Sequence, residues 1–145
     1  MLQPRKSLGF SLIELLLVLA ILGIISGIAI PTFLSQRRRA RMIGDAQANT
    51  EVLRMLLEQR KAENGIYGAA GSYTWTAAGK TPSASTNIAP SFTPRGNSKM
   101  NYSVLIGSTG LTYGITVNDA TLAGAPPMWV ANQAGNGHVA SGYKY

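Results

Sequence analysis

The segment Phe10–Leu34 constrains this chain more than any other feature. Its 25 residues carry one charge, Glu14, and between Leu15 and Ile30 the only polar side chain is Ser26. As a helix rising about 1.5 Å per residue it extends roughly 37 Å, enough to cross a hydrocarbon core of about 30 Å. Burial inside a soluble core is the competing explanation. The 82 residues after Glu63 are too few to wrap such a helix on every side. A cleaved secretory signal is a second alternative, with Leu15–Ile25 as its apolar run and Gly27-Ile28-Ala29 as a small-x-small cut. Two features oppose it: Glu14 stands between the basic start and the apolar run, and a helical pattern continues for another thirty residues beyond the cut.

Charge divides the chain. Residues 1–63 hold five of the six acids and nine of the 13 bases, whereas residues 64–145 hold 12 of the 16 glycines and only five charged side chains. The net charge of +7 favours anionic partners or surfaces without specifying a fold. With no cysteine, disulfides, Cys-ligated zinc and thiol nucleophiles are excluded, and the single histidine, His138, excludes a His-pair metal site. No metal and no cofactor is expected.

After Pro31 the pattern continues as helix to about Glu63. Met42 or Ile43, Ala46, Leu53, Leu56 and Leu57 recur at helical spacing as an apolar face, and Gln47, Glu51, Arg54, Glu58 and Lys61 fall opposite. Glu51–Arg54 and Glu58–Lys61 are spaced as i,i+3 pairs. Asn64-Gly65 predicts a left-handed stop. A helix over residues 10–63 is about 81 Å long, so its first half is expected to protrude from any head of this size.

Beyond the helix, residues 66–101 read as a loop region with little regular structure. Four strands are predicted, Tyr102–Ile106, Leu111–Val117, Met128–Asn132 and His138–Tyr143, with turns at Gly107–Gly110 and Gly135–Gly137. The expected fold class is α+β: a long N-terminal helix, its first half transmembrane, with an antiparallel meander packed on its second half. The order along the chain is a basic start at 1–9, a membrane helix at 10–34, an amphipathic continuation at 35–63 and a head at 64–145, with the meander at 102–145.

The head carries no convincing catalytic constellation, and no enzymatic activity is expected. Gly79-Lys80-Thr81 lacks the first glycine of a phosphate-binding loop, since Thr74 stands in its place. His138 and Asp119 lack a nucleophile to complete a triad. Asn101-Tyr102-Ser103 matches a glycosylation sequon.

The stretch Lys6-Ser7-Leu8-Gly9-Phe10-Ser11-Leu12-Ile13-Glu14, followed by the apolar run and Pro31, closely resembles the start of type IV prepilins and of the related pseudopilins of type II secretion. The resemblance covers residues 5 to about 36, with a weaker echo at Glu63-Asn64-Gly65-Ile66-Tyr67. It makes residues 1–9 a cleaved leader and residues 10–34 also the polymerisation helix. It implies a leader charged by Arg5 and Lys6, cleavage by a prepilin peptidase between Gly9 and Phe10, and N-methylation of Phe10. Glu14 then falls at the family's assembly glutamate. The implied product is a structural filament subunit, stored in lipid as a single-pass inner-membrane precursor with its head outside the cytoplasm. Its implied partners are copies of itself, an inner-membrane assembly platform and that platform's ATPase. It would end in an extracellular pilus or a periplasmic pseudopilus. Gly23 and Gly27, spaced as Gly-xxx-Gly, read either as a close-packing face or as ordinary glycines of a membrane helix. With Pro31, which deprives the Gly27 carbonyl of its helical donor, they mark a region expected to bend. Many pilin heads close with a disulfide, which this chain lacks; Trp129, Tyr143 and Tyr145 are expected to close the C-terminal region by packing. Many major pseudopilins carry an acidic calcium loop, and Asp119 is the only acid after Glu63, which favours the pilus reading.

Arg37, Arg38, Arg39 and Arg41 form a basic collar just past the apolar run. It admits three readings: a solvated or lipid-headgroup collar, pairing with acids of a neighbouring subunit, or nonspecific phosphate contact with nucleic acid, disfavoured because no aromatics are interleaved. These four arginines outnumber Arg5 and Lys6, and the positive-inside rule alone would place the head in the cytoplasm. A membrane-tethered monomeric binding protein is the rival from another class, and it has no need of Gly9-Phe10 or Glu14.

Overall fold

The computed structural model describes residues 9–76, 88–96, 99–122 and 124–143. Contacts divide the chain into two compact units, Met1–Arg39 and Ala40–Tyr145. Helix α1, Leu12–Asn64, begins in the first and ends in the second. Its start lies two residues beyond the expected one, because Ser11 acts as the cap: the Ser11 carbonyl accepts the N–H groups of Glu14 and Leu15 at 3.1 and 3.2 Å. The expected stop is present. Gly65 adopts φ +81° and donates to the Lys61 carbonyl at 2.8 Å, which closes the last turn as a left-handed glycine can.

In the second unit, five strands follow in chain order, β1 Gly71–Trp75, β2 Met100–Ile106, β3 Tyr113–Asp119, β4 Trp129–Asn132 and β5 His138–Val139. They form one antiparallel sheet in the order β1-β2-β3-β4-β5. Alternation puts Met100, Tyr102, Val104 and Ile106 of β2 on the buried face, with Tyr113, Ile115 and Val117 of β3 and Trp129 and Ala131 of β4. Register aligns these residues across the strands: Tyr102 faces Val117, which faces Trp129. Ala46, Leu53 and Leu57 of α1 are fully buried in the same core, with Met42, Ile43 and Leu56 at its margin. The α+β class and the meander are therefore as expected.

Several expectations are corrected. Residues 66–101 contain β1, which pairs with β2 from Gly71↔Ile106 to Trp75↔Tyr102. Its local signal is only Tyr73-Thr74-Trp75 between stretches of Gly, Ala and Thr. What holds it is nonlocal: Trp75 is buried and its ring meets Phe92 edge-on at 5.5 Å, as Phe92 in turn meets Tyr102. Strand β3 starts at Tyr113 rather than Leu111, because the preceding turn takes two more residues, Gly107 N–H donating to the Thr112 carbonyl at 3.0 Å. Gly110 in that turn has φ +70°, and a Cβ there would lie 2.8 Å from the Gly68 carbonyl oxygen. Strand β5 ends at Val139 rather than Tyr143. The chain turns at Gly142, φ +89°, and folds Tyr143 into the core. Trp129 and Tyr143 are buried as expected, while Tyr145 lies outside the described residues.

The polar face of α1 is also rearranged. Glu51 and Arg54 pair at 2.8 Å as expected. Glu58 is instead engaged by two tyrosines: it accepts the Tyr67 hydroxyl at 2.9 and 3.1 Å and the Tyr113 hydroxyl at 3.3 Å. Lys61 donates to the Tyr67 hydroxyl at 3.4 Å and lies 4.8 Å from the centre of that ring. Burial pushes the hydroxyls of Tyr67 and Tyr113 up to about 12, so at neutral pH both remain protonated donors.

Candidate functional site

The candidate site is the N-terminal segment, built upward from Gly9. Gly9 and Phe10 precede the helix and are exposed, Phe10 by 80%. Among the described residues, a Cβ on Gly9 would meet no heavy atom within 4 Å. Glu14 stands in the first helical turn, where the unpaired N–H groups and the helix dipole favour an anion. Glu14 is four positions after Phe10. Arg5 and Lys6 lie outside the described residues.

From Phe10 to Leu34 every residue is exposed. The apolar side chains include Ile24 at 68% and Ile28 at 70% exposure. By length and composition the helix can cross a membrane, and no part of its most apolar window is buried. Apolar surface of this extent and continuity marks a lipid or protein contact face. Gly23 and Gly27 lie one turn apart with open space where each Cβ would stand. The helix runs unbroken through Pro31. Next to the missing donor, the Thr32 hydroxyl bonds to the carbonyls of Ile28 and Ala29 at 3.1 and 2.9 Å, and the Ser35 hydroxyl to the Thr32 carbonyl at 2.8 Å. Hydroxyls that return to the preceding turn supply polar partners in a segment that proline deprives of one. Past the apolar run, Arg37, Arg38 and Arg41 are exposed and Arg39 is half-buried.

Among the described residues, the second unit shows no comparable chemical constellation. The Asp119 carboxylate accepts the Thr121 N–H at 2.8 Å and its hydroxyl at 2.6 Å. His138 is exposed on β5. Among the described residues, no group of three or more His, Cys, Asp or Glu is placed to hold a metal ion. Lys80 and its neighbours Gly79 and Thr81 lie outside the described residues. The side chain the sequence pattern missed is Asn49, on the buried face of α1. Its amide donates to the Arg95 carbonyl and to the Tyr102 hydroxyl, both at 2.8 Å, and accepts the Arg95 N–H at 2.9 Å. Asn49 thus pairs with the Arg95 backbone as a strand would. Its position three residues after Ala46 and four before Leu53 was the available signal. Burial raises the Tyr102 hydroxyl to about 12, against a smaller downward pull from Asn49.

The exposed helix that opens on Gly-Phe with an acid in its first turn is long and apolar enough to cross a membrane. The chain carries the prokaryotic N-terminal methylation motif over residues 4–30, the signature of type IV prepilins and pseudopilins. That motif points to a structural protein and to membrane anchoring. It covers about a fifth of the chain and contains Gly9, Phe10, Glu14, Gly23 and Gly27, with Pro31 just beyond it. No curated protein and no solved structure matches this chain.

Proposed function

We propose that this chain is a structural subunit of a type IV pilus-like filament. In this reading prepilin peptidase cuts after Gly9, Phe10 is N-methylated, and the precursor waits in the inner membrane with its head outside the cytoplasm. An assembly platform driven by a cytoplasmic ATPase then joins it to other copies through the apolar half of α1. The observation that carries the reading is the coincidence of the methylation motif with a helix whose first half is exposed on all sides. Such a surface is compatible with lipid before assembly and with other copies of itself afterwards.

Glu14 supplies the register. Cleavage creates a cationic amine on Phe10, and in a bundle of apolar helices an amine and a carboxylate are each costly unless paired. The amine of one subunit against Glu14 of its neighbour satisfies both. A pilus subunit is favoured over a secretion pseudopilin by the head's single acid, Asp119, whose carboxylate is already occupied by Thr121.

The test is Glu14→Gln in cells. Loss of one member of a buried charge pair costs about 3–5 kcal/mol, enough to stop polymerisation while leaving cleavage and insertion intact. Immunoblots of fractionated membranes, N-terminal mass spectrometry and counts of surface filaments read the outcome. Processed, methylated Phe10 with few filaments is expected. A wild-type protein that keeps Met1 would sink the prepilin reading. Normal filament numbers from processed Glu14→Gln would sink the charge pair.

A further inference from the structure

The chain contains two Asn-Gly pairs, Asn64-Gly65 and Asn136-Gly137. In such a pair an asparagine readily reacts with its own backbone. The nitrogen of the next residue attacks the side-chain carbonyl carbon, and glycine, with no Cβ, leaves that nitrogen open and the backbone free to turn toward it. The fold puts the two pairs in opposite circumstances.

Asn64 is the last residue of α1. Its side-chain amide donates to the Arg60 carbonyl at 3.1 Å, and the Gly65 N–H donates to the Lys61 carbonyl at 2.8 Å. Bringing the Gly65 nitrogen onto the Asn64 side chain breaks both bonds and unwinds the glycine-closed last turn. Asn136 lies between β4 and β5, where residues 133–139 are all exposed. Among the described residues its side chain has no hydrogen-bond partner. The Gly137 N–H donates to the Gly135 carbonyl at 3.0 Å, across a three-residue turn. An exposed segment with few buried contacts opens at low free energy.

We infer that Asn136 is a site of spontaneous deamidation and that the fold protects Asn64 from the same reaction. The Gly137 nitrogen gives its proton to solvent base and bonds to Asn136 Cγ. The side-chain nitrogen takes up a proton and leaves as ammonia, closing a cyclic imide. Water then adds to either imide carbonyl and breaks that carbon's bond to the Gly137 nitrogen. One opening gives aspartate. The other gives isoaspartate, whose main chain runs through Cβ and Cγ and is longer by one atom.

Both products act on their surroundings. The new carboxylate arises one residue from Gly135, where a Cβ would lie 3.3 Å from Arg54 Nη2, beside a guanidinium already paired with Glu51. The longer isoaspartyl backbone displaces Gly137, at which a Cβ would already lie 2.8 Å from the Trp129 ring. Strand β5 pairs with β4 at Trp129↔Val139 and Val130↔His138 alone, so little opposes that displacement.

The experiment incubates the detergent-solubilised full chain in warm, mildly alkaline buffer. Peptide mass spectrometry follows both pairs, reading the replacement of a side-chain NH2 by OH and identifying isoaspartate from its backbone fragments. A parallel sample is held unfolded in denaturant, where each pair keeps only its local sequence. In the folded chain Asn136 is expected to react about tenfold or more faster than Asn64, the factor that two hydrogen bonds at Asn64-Gly65 supply. In denaturant the two rates are expected to converge. Asn136→Gln is expected to stop the reaction at that position, since its longer side chain closes the ring far more slowly. Backbone hydrogen exchange at His138 and Val139 is expected to quicken in the aged wild type and to stay unchanged in aged Asn136→Gln. Equal rates in the folded chain, or faster reaction at Asn64, overturn the inference. So does an Asn136 that stays intact in the folded chain while it reacts in denaturant. A rate ratio that persists in denaturant overturns the protective role of the fold, and equal quickening of exchange in Asn136→Gln overturns the effect on β5.

Discussion

Leu19 and Leu53 sit on the same helix with the same backbone geometry, yet Leu19 is 56% exposed and Leu53 is fully buried. Each environment follows from what surrounds the helix. Around Leu53 a sheet supplies Val104, Ile115 and Val117, and the helix is apolar on one face and polar on the other. Around Leu19 every residue from Phe10 to Leu34 is exposed, and from Leu15 to Ile30 the helix is apolar on every side but for Ser26. A helix apolar on every side needs an apolar solvent or copies of itself; an amphipathic one needs only its own head. The contrast extends to glycine. Gly23 and Gly27 have open space where a Cβ would stand, whereas a Cβ on Gly137 would lie 2.8 Å from the Trp129 ring.

The sharpest test of this contrast is truncation in each half. Leu53→Ala or Leu57→Ala is expected to destabilise the head by about 2–5 kcal/mol, the range for a buried leucine. Leu19→Ala is expected to stay within about 0.5 kcal/mol. Chemical denaturation of the detergent-solubilised chain, followed by tryptophan fluorescence, reads the head alone, since Trp75 and Trp129 both lie there. Equal losses from both halves would show that the apolar half also packs on the head.

Asn49→Ala comes next. It removes the partners of the Arg95 carbonyl and N–H and a donor to the Tyr102 hydroxyl. An expected loss of about 2–3 kcal/mol, by the same fluorescence measurement, reflects buried polar groups left unpaired. A near-neutral result would mean that water replaces the amide. Gly137→Ala is expected to cost about 1–3 kcal/mol by forcing the Trp129 ring to move. The matching change Gly23→Ala is expected to leave head stability unaltered.

The smallest effect is expected from Tyr67→Phe, about 0.5–1.5 kcal/mol for one hydrogen bond. It has a distinctive pH signature. The Tyr67 and Tyr113 hydroxyls ionise at about 12 in the fold, against 10.0 in the unfolded chain. A raised pKa means that the folded state holds its protons longer. The stabilisation is then fully present below pH 10 and is lost as pH rises toward 12. Denaturation midpoints measured across that window are expected to fall, and to fall less steeply in Tyr67→Phe. An unchanged slope would remove Tyr67 from the account.

Some of this was legible in residues alone because it depends on local or compositional signals. The apolar run, Gly9-Phe10 with Glu14 four residues on, and the Gly65 stop are each written within a few consecutive positions. The alternation in β2, β3 and β4 is equally local, as is the Glu51–Arg54 pair. Strand β1, the early end of β5, the engagement of Glu58 by two tyrosines and the role of Asn49 were not legible in this way. Each depends on a partner far along the chain: Trp75 on Tyr102 and Phe92, Glu58 on Tyr113, Asn49 on Arg95.

The division has a physical basis. An apolar helix crossing a bilayer satisfies its backbone hydrogen bonds within itself, so sequence alone specifies both its structure and the solvent it requires. A strand satisfies its backbone only through another strand, and a buried polar side chain only through whichever group the fold brings to it. Residues 10–34 therefore declared a helix able to cross a membrane, and with Gly9 the prepilin-like start, by themselves. In the head, composition and alternation set the class, α+β with a meander. The tertiary structure decided which short segment became the fifth strand and which polar side chains of α1 fasten the helix to the sheet.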